Sequence, residues 1–202
     1  MKKSILICSL ALLSLSSCKK VIEGRKNSIV PPAETPQVTD PFVEYSIKQG
    51  EQYCDKNNLV TVKYDELKFL VKFDSSAIYK TMLPENQGDI NKLFGFSDNN
   101  AQHHEYSARF GWGWSNNALR LYAYVYNEGI RSSAELGTVK IGTENKCSLK
   151  VAGNTYIFTL NNKTVTMPRL AKTPQAQGYK LYPYFGGDEP APHLIKIWIK
   201  EL

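Results

Sequence analysis

The sequence predicts an all-β protein, an antiparallel β-sandwich of the jelly-roll kind, and three observations support that expectation. Apolar and polar residues alternate with a period of two along most of the chain, in segments rich in aromatic and β-branched residues. Asparagine and glycine pairs separate those segments at short spacing, where tight hairpin turns need positive φ angles. No helical pattern of useful length follows the N-terminal segment, although "DINKLFGF" at residues 89–96 has room for one turn.

Taken in order, "KFLVKFD" places Phe69, Val71 and Phe73 on one face and Leu70, Lys72 and Asp74 on the other. "YIFTL" groups Tyr156, Phe158 and Leu160, with Gly153-Asn154 before this strand and Asn161-Asn162 after it as turns. "IKIWI" sorts Ile195, Ile197 and Ile199 from Lys196, Trp198 and Lys200. Several such strands with turns between them make a sandwich or barrel rather than a lone sheet.

The stretch "RFGWGWSNNALRLYAYVYNEG", residues 109–129, is the most informative. With Asn116-Asn117 as the turn, Trp114 faces Leu119, Trp112 faces Leu121 and Phe110 faces Ala123. That side is wholly apolar and is core. The other side holds Arg109, Gly111, Gly113, Arg120, Tyr122, Tyr124 and Tyr126. A slip of one residue would mix the two sets, so the sorting itself supports the register. Glycines leave room, tyrosines offer flat rings and guanidiniums offer planar hydrogen-bond forks, a combination suited to sugar rings. Arg109, Arg120, Tyr122, Tyr124 and Tyr126 are therefore candidate ligand-binding residues, joined by Trp198 if the last strand buries its isoleucines. A plain wet or covered sheet face reads the same way.

The chain begins "MKKSILICSLALLSLSSCKK". Two lysines and a short apolar run make a processing signal too brief to span a bilayer. Leu15-Ser16-Ser17-Cys18 resembles a bacterial lipobox. The resemblance implies cleavage before Cys18, lipid on that cysteine, and a palmitate-type acyl group on the new amino terminus. Lys19 stands where an inner-membrane retention aspartate would sit, which favours an outer-membrane address. The alternative is an ordinary secretory signal with an incidental cysteine. Residues 1–17 are thus read as the signal and residues 18–44 as lipidated cysteine and proline-rich tether, spanning roughly 30 Å as coil or 80 Å extended. Residues 45–202 are one sandwich domain.

Loss of the signal lowers the formal +6 to about +4, without a basic stripe, so no nucleic acid partner is expected. Cys54 and Cys147 remain as two thiols in an oxidising envelope, where a disulfide is the expectation and separate buried thiols the alternative.

The series from "SARFGWGWSNNALRLYAYVYNEG" through "KVAGNTYIFTLNNKTVTM" to "YPYFGGDEPAPHLIKIWI" resembles the later half of concanavalin A-like lectin, glucanase and polysaccharide-lyase domains. That resemblance implies a jelly roll whose concave sheet face meets glycans. Glycosidase chemistry needs two carboxyl groups about 5–10 Å apart, and no strand has a Glu-x-Asp pair to supply them. The residue types a lyase needs are available in Arg109, Arg120, Tyr122, Tyr124, His103 and His104, but its Arg-x-Glu and Gln-x-His strands are missing. His103-His104 on an extended segment would diverge and are read as exposed loop residues; Asp98, Asn99 and Asn100 lack the remainder of a calcium loop. No cofactor or metal is expected. The leading expectation is a lipid-anchored, non-catalytic envelope sandwich that binds carbohydrate. The alternatives are a structural or adhesion subunit contacting another envelope protein, and a polysaccharide lyase.

Overall fold

The structure is a computed structural model that describes residues 41–202. The signal and Cys18 lie outside the described residues, as does nearly all of the tether. Twelve strands follow in chain order: β1 (Val43–Ile47), β2 (Thr61–Tyr64), β3 (Glu66–Phe73), β4 (Asn91–Ser97), β5 (Ser107–Ser115), β6 (Ala118–Asn127), β7 (Ile130–Val139), β8 (Asn145–Ala152), β9 (Thr155–Leu160), β10 (Lys163–Pro168), β11 (Ala176–Leu181) and β12 (Ile195–Glu201). Short 3-10 turns at Ser75–Ala77 and Pro84–Gly88 lie between β3 and β4.

The strands form two six-stranded antiparallel sheets, ordered β1-β12-β3-β8-β9-β10 and β2-β11-β4-β5-β6-β7. The last strand thus lies beside the first, and β11 crosses back to pair with β2 and β4. This is the expected antiparallel sandwich of jelly-roll class. Hairpins at β5-β6 and β8-β9-β10 close on the asparagine and glycine turns read from the sequence. At the first of these, Asn116 (φ 49°) and Asn117 (φ 55°) both take the left-handed conformation that a type I′ turn demands. The β5-β6 register is the expected one throughout, Trp112 opposite Leu121 and Phe110 opposite Ala123.

Inward residues of the two sheets meet in an aromatic core. Phe69 of β3 packs edge-on against Phe94 of β4 and Phe110 of β5, and Phe110 against Phe158 of β9. Edge-to-face pairs of this kind contribute about 0.5–1.5 kcal/mol each beyond their area burial. At one end a buried ion pair closes the sandwich. Arg169 donates from Nε to Asp98 at 2.8 Å, and the Tyr156 hydroxyl donates to the same carboxylate at 2.6 Å. Burial pushes the Asp98 carboxyl up, but these bonds and backbone N–H groups outweigh it and hold the group below its usual range.

The expected disulfide is not present. Cys54 and Cys147 are separate, buried, free thiols. Cys54 bridges Ile47 on the outer side of β1, while Cys147 sits in β8 opposite Phe69. Strands β1, β12 and β3 intervene, which at about 4.8 Å per strand places the two roughly 19 Å apart, far beyond disulfide reach. Burial raises the Cys54 thiol to about 11.

Candidate functional site

The second sheet carries a groove of about 880 Å³ on its outer face. Lys92, Arg109, Tyr124, Tyr126 and Arg131 form its floor, from four successive strands β4 to β7. The Gln102–His104 turn and Tyr179 stand on one side, and the Tyr53–Leu59 and Tyr182–Asp188 segments complete the lining.

The floor is built by register. Arg109 pairs with Tyr124, and Tyr126 with Arg131. A bulge between Lys92 and Gly95 brings the β4 backbone under Arg109. A Cβ at Gly95 would collide with the Ala108 carbonyl and with Cα and Cβ of Arg109, so glycine there is what lets the β4 and β5 backbones approach at the bulge.

Arg109 is 6% exposed and its guanidinium stacks over the Tyr124 ring at 5.5 Å. Lys92 Nζ lies 5.3 Å from the same ring and 5.9 Å from that of Tyr184, and donates to the Gly186 carbonyl at 3.2 Å. Among the described residues neither cation has a carboxylate partner, and Arg109 Nε has no hydrogen-bond acceptor. Burial draws Arg109 down to about 10, so it stays charged at neutral pH. Burial, and then the neighbouring Arg109 and Arg131, push Lys92 down to about 8. Two desolvated, mutually repelling cations thus share one floor.

The wall holds a second arrangement. The Tyr179 hydroxyl accepts from the His103 backbone N–H at 3.0 Å and lies 2.8 Å from His103 Nδ1. Burial, Arg109 and His104 lower His103 to about 4, which leaves it neutral at pH 7. His103 and His104 do not diverge as an extended segment would make them. They sit in a turn, with ring centroids 4.2 Å apart.

The expected site residues divide. Arg109, Tyr124 and Tyr126 line the groove together. Tyr124 does not offer its ring to a ligand, however; at 2% exposure it is roofed by the two cations stacked on it. Arg120 turns aside to pair with Glu135 at 2.8 Å, and Tyr122 lies outside the lining. Gly111 and Gly113 make room not for a ligand but for Ile90, Asp89 and Tyr79, which pack over that half of the face. Trp198 belongs to the other sheet: β12 does bury its isoleucines, but between β1 and β3, so the indole faces the opposite side of the sandwich. Lys92, Arg131, Tyr179, Tyr184 and Tyr53 were not read from the sequence. The one local signal was the tyrosine-rich stretch "YKLYPY", residues 179–184, just before the glycine turn.

Among the described residues lining the groove, Asp188 is the single carboxylate. No group of three or more His, Cys, Asp or Glu side chains that could hold a metal ion occurs among the described residues.

No family model matches this chain, and no curated protein matches it. Solved structures do. The alginate lyase AlyC3 superposes with a TM-score of 0.53 at 10% identity, over 80% of this chain and 74% of that one. The same lyase in complex with dimannuronate gives 0.51 at 10% identity, over 80% and 73%. A Bacteroides ovatus mixed linkage glucan GH16 protein, in complex with a G4G4G3G product, gives 0.51 at 11% identity, over 80% and 81%. The chain therefore shares its sandwich fold with carbohydrate-active proteins of two reaction types.

Proposed function

We propose that this protein is an envelope lipoprotein, anchored through Cys18 at the outer membrane, whose groove binds an acidic polysaccharide without cleaving it. The buried Arg109 and the half-buried Lys92, neither with a carboxylate partner among the described residues, are the observation on which this reading rests. A uronate carboxylate laid over them supplies the counter-charge that both lack and offsets the repulsion that, after burial, depresses Lys92. Tyr126 and the exposed Tyr53, 65% accessible and braced edge-on by Tyr184, offer ring surfaces at the groove margins. Hydrolysis by paired carboxylates does not suit a groove in which Asp188 stands alone.

The test is titration calorimetry with polygalacturonate or alginate oligomers beside a neutral β-glucan. Acidic oligomers bind and the neutral one does not; Arg109→Gln weakens binding about 10–100-fold, the range for a charged hydrogen bond. Equal binding of neutral and acidic oligomers, or an unaffected Arg109→Gln protein, removes the reading.

The His103–Tyr179 pair favours a second reading, uronate β-elimination. There the pair would take the C5 proton, the C4–O bond would break as the C4=C5 double bond forms, and the proton would pass to the departing oxygen, while Arg109 neutralises the carboxylate. Appearance of the ultraviolet absorbance of an unsaturated uronate, lost on Tyr179→Phe, distinguishes this lyase from the non-catalytic binder.

A further inference from the structure

The sheet β1-β12-β3-β8-β9-β10 has an outer face that the groove does not use, on the other side of the sandwich. Strand alternation places Lys68 and Lys72 of β3, Lys146 and Lys150 of β8, and Lys196 and Lys200 of β12 on it, because their neighbours Phe69, Val71, Cys147, Leu149, Ile197 and Ile199 point into the core. Among the described strand residues the carboxylates on this face are Glu44 and Glu66, each taken up by one lysine, Lys196 at 3.0 Å and Lys68 at 2.9 Å. Lys72, Lys146, Lys150 and Lys200 make no ion pair with a described residue. Between these charges lies Trp198, paired across the sheet with Glu44 and Lys72. Lys72 Nζ stands 5.8 Å from the indole and 5.3 Å from the ring of Phe42, the residue through which the chain enters β1.

We propose that this face seats on a bilayer surface rich in anionic phospholipid, with the lysine amines over the phosphates and Trp198 at headgroup depth. The charge is complementary, since basic residues near an anionic leaflet are attracted individually and additively. Tryptophan flanked by lysines suits an interface, where its ring is half in hydrocarbon and lysine stems reach outward. The entry point agrees as well: the chain leading from Cys18 reaches the sheet at Phe42, beside this face. That last support rests on the lipid anchor proposed above. A tether of roughly 30 Å as coil holds even a weak surface at high effective concentration against the membrane.

The experiment uses residues 18–202 with Cys18→Ala, so that neither signal nor acyl chain contributes, in vesicle co-sedimentation. The protein pellets with equimolar phosphatidylglycerol and phosphatidylcholine, stays soluble with phosphatidylcholine alone, and is released by high salt. Lys72→Gln, Lys146→Gln and Lys150→Gln together lower partitioning about a hundredfold, at about fivefold per lysine. A matched triple elsewhere on the surface, Lys80→Gln, Lys140→Gln and Lys172→Gln, leaves it within a few-fold, and near-ultraviolet dichroism confirms that both triples are folded. Equal losses in the two triples, or no preference for the anionic vesicles, would overturn the proposal. Since Arg109→Gln alone is expected to pellet normally, failure of this proposal and failure of the groove reading are separate results.

Discussion

Replacing Arg109 with methionine is expected to make the protein more stable and less able to bind. The side chain is buried, stacked on Tyr124, and has no carboxylate partner among the described residues. Burial lowers its guanidinium from the ordinary 12.5 to about 10. At 1.36 kcal/mol per pH unit this shift corresponds to about 3 kcal/mol against the charged form. At neutral pH the group is protonated both folded and unfolded, so that cost is present in full. Methionine removes it, fills a similar volume, and forfeits a cation–π contact of about 1–2 kcal/mol. The net gain is about 1–2 kcal/mol, which for a domain of this size raises Tm by about 3–6 °C. Urea denaturation and thermal melts of Arg109→Met beside the parent chain measure the gain, and oligosaccharide calorimetry measures the loss. A variant that melts below the parent chain yet still binds acidic oligomers would show that Arg109 holds the sheet together and has no ligand.

Four further outcomes follow from the same structure. Affinity for acidic oligomers should fall as pH rises through about 8, where Lys92 loses its proton, and Lys92→Met should flatten that profile. Arg169→Leu leaves Asp98 buried without its cation and should cost about 3–5 kcal/mol in urea unfolding. Because the Asp98 pKa is lowered in the folded state, its contribution is complete above the ordinary aspartate pKa and fades as pH falls through the lowered value. Acid titration of stability should therefore show a loss in the parent chain that Arg169→Leu lacks. Asn116→Ala, at a left-handed turn position, should cost about 1–2 kcal/mol in the same assay. Without reductant, Cys54 and Cys147 should both label with a thiol reagent once the chain is unfolded, and neither while it is folded.

The hairpin was legible because everything that fixes it is local. Two asparagines set the turn, and the pleat then sends Phe110 and Trp112 inward and Arg109 and Tyr124 outward. What lies above an outward face is not local. Gly111 and Gly113 read as vacancies, yet Ile90 and Tyr79 arrive from outside the hairpin to fill them. The same limit hid Lys92 and Tyr184, which meet only because the chain after β11 returns to pair with β4. Trp198 and the two cysteines were misplaced for one shared reason. Alternation tells which face a residue takes within its own strand, but strand order decides which sheet and which neighbours it joins, and that order is set by the closure of the whole jelly roll.

The glycine at the β4 bulge answers to the neighbouring backbone rather than to the guanidinium above it. A methyl group at 95 would meet the Ala108 carbonyl oxygen and the Cα and Cβ of residue 109, whatever side chain 109 carries beyond Cβ. Among descendants of this fold, glycine at 95 should therefore persist even where arginine at 109 has been lost, for as long as the kink between β4 and β5 is kept. Finding that glycine in any newly met sequence is then a sign that its sheet still kinks beneath the trough, while the charge of the floor has to be read at 109 itself.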